Sequence, residues 1–72
     1  MNSPKHPESA RLAGEAFVAS GCRTHREFVA LFDGAVALRT FRGWLAGDRP
    51  APALARLVLR EFVAGWRPGR RA

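Results

Sequence analysis

What this chain of 72 residues lacks narrows its identity first. It has a single cysteine, Cys22, so no disulfide can close within it, and one thiol cannot build a zinc site. That usage points to a reducing, intracellular setting. Tyrosine is absent, and no asparagine or glutamine follows Asn2. No apolar run nears the roughly 20 residues that span a bilayer, and the opening MNSPKHPES has none of the apolar stretch that a secretory signal needs. The expectation is a soluble cytoplasmic protein with no membrane partner. Strand signals are missing too: β-branched residues are few, and no alternation or hairpin dipeptide separates apolar runs. No segment repeats. The chain also offers no Ser-His-Asp set, no paired carboxylates, no glycine-rich phosphate loop and no metal-ligand spacing. We therefore expect no enzyme, no cofactor and no metal.

What the chain does have is apolar side chains and positive charge. Hydrophobic residues make up 47% of it, enough for a core in one small domain near the lower size limit for folding alone. Five Phe and two Trp supply the bulk. Twelve basic residues oppose six acids, for a net charge of +6, and all but Lys5 of the basic set are arginine. Such a balance favours acidic partners, and the planar arginine fork suits phosphate and carboxylate alike.

The apolar spacing predicts an all-α fold of four short helices, with a flexible arm over residues 1–7, a helical domain over 8–65 and a basic tail over 66–72. Pro7 suits a first helical turn; Leu12, Ala13, Ala16, Phe17 and Ala19 share one face, and Gly21 is a stop. Thr24-His25-Arg26-Glu27 fits the capping box that opens a second helix. Phe28, Val29, Leu31 and Phe32 should form its buried face, and Asp33-Gly34 its end. A third helix is expected from about Val36 to Ala46, with Phe41 and Leu45 inward and Gly47 closing it. Pro52 should open a fourth, with Leu54, Leu57, Val58 and Phe62 inward, Arg56 and Arg60 outward and Gly65 at its end. Trp44 and Trp66 read as core-edge residues, His25 as a solvated helix residue, and the chain beyond Trp66, with Arg67, Arg70 and Arg71, as a mobile tail.

These elements resemble the lambda-repressor-like helix-turn-helix regulators of phages. The resemblance rests on Thr-x-x-Glu-Phe at the second helix and on Thr-Phe-Arg-x-Trp-Leu-x-Gly-x-Arg-Pro-x-Pro over Thr40 to Pro52, and it covers roughly Arg11 to Val63. It implies a third helix in the major groove, with Arg39, Thr40 and Arg42 near phosphates or base edges and Arg49 near the backbone. Base-facing positions then fall on Ala37, Leu38, Arg39, Arg42 and Gly43. Major-groove discrimination draws on Arg, Asn and Gln, and two arginines hold phosphate better than they read sequence. The length, basic character and proline-containing arm are also similar to the small transcription regulators of lytic phages that bind host bacterial RNA polymerase. That resemblance implies docking on the N-terminal region of the β′ subunit near the RNA exit channel, with the β flap as an alternative surface, inhibition of initiation and antitermination. Lys5, His6, Arg11, Arg39 and Arg42 would then face the polymerase, with DNA or nascent RNA as a further contact. The polymerase reading expects a monomer. The alternative, a Cro-like repressor using Arg39, Thr40, Arg42 and Arg49 on operator double-stranded DNA, expects a dimer.

Overall fold

A computed structural model describes residues 4–68, and among these the backbone forms four helices and no strand. They are α1 (Pro7–Ser20), α2 (His25–Ala30), α3 (Leu38–Ala46) and α4 (Ala53–Val63). Pro7 occupies the first turn of α1, where its missing N–H costs nothing. Gly21 ends that helix at φ 77°, a left-handed position that glycine reaches without strain. The capping box of α2 is formed: the Glu27 N–H donates to Thr24 Oγ1 at 3.1 Å, and the Thr24 N–H donates to Glu27 Oε1 at 3.0 Å. The third helix begins at Leu38, two residues later than expected, because the chain turns through left-handed Asp33 (φ 53°) and Gly34 (φ 84°) and has no side-chain cap at Ala37. Helix α4 closes in a Schellman motif. The Trp66 N–H donates to Glu61 O at 2.8 Å and the Gly65 N–H donates to Phe62 O at 3.1 Å.

Helix α1 is the central element and packs against the other three. Its buried positions are Ser9, Ala13 and Ala16, all small, so neighbouring helices approach its backbone closely. The large side chains come from those neighbours. Phe28, Phe41, Leu59 and Phe62 are fully buried. The Phe28 ring lies 4.8 Å from that of Phe41, 5.0 Å from Phe62 and 5.3 Å from Phe32. Phe32, Leu45 and Val58 are partly buried against this cluster.

Three inward assignments are corrected. Leu54 and Leu57 are 74% and 56% exposed, and Leu31 lies at the surface. The α4 face that meets α1 is set by Leu59 and Phe62 with Ala55 beside them. Leu57 lies two positions from Leu59, about 200° around a helix, and cannot share that face. His25 also differs from its expected solvated position: its ring is half-buried, 5.0 Å from Phe17 and 5.7 Å from Phe41 in edge-to-face contacts.

Both ends of the described chain are tied to the core. The His6 N–H donates to Gly47 O at 2.9 Å, and Pro4 packs on Gly47. Thus the described part of the expected arm is anchored. In the expected mobile tail, the Arg67 guanidinium donates to Phe62 O at 3.1 Å, to Trp66 O at 2.6 Å and to Ala19 O, and it lies 5.4 Å from the Phe62 ring centroid. One side chain thereby satisfies carbonyls at the C-terminal ends of α1 and α4, where cations are favoured. Arg70 and Arg71 lie outside the described residues.

Candidate interaction surface on α3 and α4

Helix α3 has three distinct faces. Phe41 is fully buried and Leu45 is half-buried toward α1. Thr40 and Trp44 turn toward α4 and line a groove. Arg39 and Arg42 are exposed on the remaining side. Arg49 joins them through the tight turn after Gly47: its stem crosses Gly43, with Cδ 3.1 Å and Cγ 3.3 Å from where a Cβ there would stand. Gly43 lies four residues after Arg39 and Arg42 three, so the stems of Arg49 and Arg42 border that of Arg39 on its two sides. The structure thus brings together three of the four arginine and threonine positions expected on nucleic acid. Thr40 is the exception, because it faces α4 and lines the groove.

The groove lies between α3 and α4, both of which pack on α1. It encloses about 380 Å³, and its walls include Phe32, Val36, Thr40, Trp44, Leu54 and Val58. Trp44 is only 4% exposed and contributes mostly floor, with its ring 6.3 Å from that of Phe41. Sequence reading placed Trp44 at a core edge and Leu54 within the core, and so missed the groove. Thr40 and Trp44, four residues apart, form a visible stripe on the third helix, and Val36 precedes it in the turn. What it faces depends on how α4 is docked.

The arm residues form a separate region. Lys5 and His6 line a cleft of about 410 Å³ with Pro7, Glu8, Ser9 and Arg56. Arg11 is exposed on α1 and does not line that cleft. The five residues expected on the polymerase therefore comprise Lys5 with His6, Arg39 with Arg42, and Arg11 by itself. Sequence reading also missed Ser9, a buried hydroxyl whose Oγ accepts the Ala51 N–H at 2.9 Å and pins the Pro50–Pro52 connector to α1.

Among the described residues no group of three or more His, Cys, Asp or Glu could hold a metal ion, and no helix is long and apolar enough to cross a membrane. No protein-family model, no curated protein and no solved structure gives a significant match to this chain.

Proposed function

We propose that this chain is a phage transcription regulator that works by binding host bacterial RNA polymerase in the host cytoplasm, as a monomer. On this reading it docks on the N-terminal region of the β′ subunit near the RNA exit channel, inhibits initiation at host promoters and promotes antitermination. The site on the polymerase and both transcriptional effects rest on the resemblance to small lytic-phage regulators. The observation that carries protein binding over base reading is the surface of α3. Its exposed face offers Arg39, Arg42 and Arg49 with no amide side chain beside them, while the next face opens onto an apolar groove. An apolar groove has no use for a phosphate backbone. It suits an acidic protein surface that also presents apolar side chains.

A second reading is favoured by the same arginines: a Cro-like repressor would set them on the phosphates of operator double-stranded DNA. The two readings separate in one experiment. Tagged protein passed through bacterial lysate should retain RNA polymerase subunits, identified by mass spectrometry, and the purified chain should lower transcription from a host promoter. Arg39→Ala with Arg42→Ala should weaken both. The polymerase reading is lost if no polymerase is retained while the chain binds one duplex at least about a thousandfold more tightly than random DNA, the low end of operator specificity.

A further inference from the structure

The α3–α4 groove combines two chemistries along its edges. Arg39 and Gly43 each precede a groove-lining residue, Thr40 and Trp44, by one position. At about 100° per residue they flank the groove wall. The residues that follow, Phe41 and Leu45, turn into the core, so Arg39 and Gly43 must lie on the solvent side. The Arg49 stem covers Gly43, so the outer edge of α3 carries the two arginines Arg39 and Arg49. The opposite edge is apolar. Leu54 lines the groove and is 74% exposed, and Leu57, one position before groove-lining Val58, is 56% exposed. Glu61 stands one turn beyond Leu57 and is the acid on that edge.

We infer that this groove binds an amphipathic helical segment of an acidic partner, with apolar side chains of the segment seated over Trp44 and Val58 and its carboxylates paired with Arg39 and Arg49. The inference deepens the proposed function and rests on it for the identity of the partner, since it specifies what kind of polymerase segment the chain engages. Charge complementarity selects this occupant. A second copy of the chain would bring another +6 toward the same arginines, and like-charge juxtaposition opposes that. An amphipathic helix seats residues spaced i, i+3 or i+4 and i+7 in a groove of this type. Its acidic flank meets the arginine fork in bidentate geometry.

The probe is a synthetic amphipathic peptide with leucines at i, i+3, i+4 and i+7 and glutamates on its other faces. It is compared with the same pattern carrying lysines and with a composition-matched scramble, using amide and indole shifts of the labelled chain. The glutamate peptide should shift Val36, Thr40, the Trp44 indole, Leu54 and Val58. It should bind at least about tenfold more tightly than either control, and more weakly as salt rises. Leu54→Asp and Arg39→Glu each change an exposed side chain and leave the helical core in place; each should weaken binding about tenfold or more. Equal binding of the glutamate and lysine peptides overturns the inference, as do shifts confined to another surface, or a dimer in sedimentation that Leu54→Asp dissolves while the peptide fails to bind. Lysate retention by Leu54→Asp separates the two levels of the proposal. If wild type and variant retain polymerase equally, the polymerase reading stands and the groove inference fails. If wild type retains none, the polymerase reading fails and the peptide titration decides the groove.

Discussion

Phe41 shows how much one side chain contributes in a chain this short. It is fully buried, with the rings of Phe28 at 4.8 Å, His25 at 5.7 Å and Trp44 at 6.3 Å. Truncation removes both its burial and the contacts of those three neighbours. Phe41→Ala should therefore destabilise by about 3–5 kcal/mol, close to the whole stability of a small domain. Chemical denaturation checks this, and an unchanged midpoint would mean that α3 is turned the wrong way. Ser9 makes the opposite kind of contribution. Its volume matters little, but its Oγ is the acceptor for a buried amide, Ala51 N–H, at 2.9 Å. Ser9→Ala keeps the packing and orphans that donor, so a loss of about 1–3 kcal/mol is expected. Ser9→Thr retains the hydroxyl but adds a methyl at a closed site, and it should recover only part of the loss. Comparing the three melting curves measures the hydrogen bond apart from the space.

At the scale of elements, α2 and α4 are held by different physics. Helix α2 has only six residues, too few to persist by backbone propagation, so its end groups matter disproportionately. Glu27 receives both the Thr24 N–H and the Arg23 N–H, at 3.0 and 2.9 Å, while Thr24 Oγ1 accepts the Glu27 N–H. Thr24→Ala should cost about 0.5–2 kcal/mol. The amides of Arg26 and Glu27 should also exchange faster with solvent than in wild type, which hydrogen exchange would reveal. Helix α4 has no side-chain cap, and its place is set by packing. Its large apolar residues are Leu54, Leu57, Val58, Leu59, Phe62 and Val63, more than one face can bury. Leu57→Ala should therefore change the melting temperature little, whereas Leu59→Ala removes a fully buried side chain and should cost about 2–5 kcal/mol.

For the molecule as a whole, closure depends on contacts distant in sequence. Pro4 and His6 meet Gly47 at the far end of α3. A Cβ on Gly47 would fall inside the Pro4 side chain, while a Cβ on Gly21 would meet nothing within 4 Å. Both glycines have left-handed φ, 78° and 77°, so alanine at either costs about 1–2 kcal/mol in backbone strain. Gly47→Ala should cost more than Gly21→Ala, and it should shift the amide resonances of Lys5 and His6. Equal losses would show that docking of the 4–6 segment adds nothing to stability. The net charge of +6 acts at this scale too. It disfavours self-association, and sedimentation should find a monomer at low salt.

The sequence by itself determined the local features whose causes are local. The helical class, the capping box at Thr24 and the glycine stops at Gly21, Gly47 and Gly65 each depend on residues within a few positions of one another, so pattern and turn chemistry suffice. The cluster of Phe28, Phe41 and Phe62 was legible for the same reason, since large aromatic residues on an apolar stripe have no better place to go. Which of two apolar stripes on α4 is buried was decided only by the tertiary structure. Leu54-Leu57 and Leu59-Phe62 are equally hydrophobic as text, and only the docking of α4 on the small-residue face of α1 buries the second. The groove follows from that choice, because it is the space left between α3 and α4 where both lean on α1. Arg39 and Arg42 could be picked out as exposed candidates from the third helix alone. The partnership of Arg49 with them could not, because it depends on the turn at Gly47 folding that side chain back across Gly43, where the absence of a Cβ leaves room for its stem.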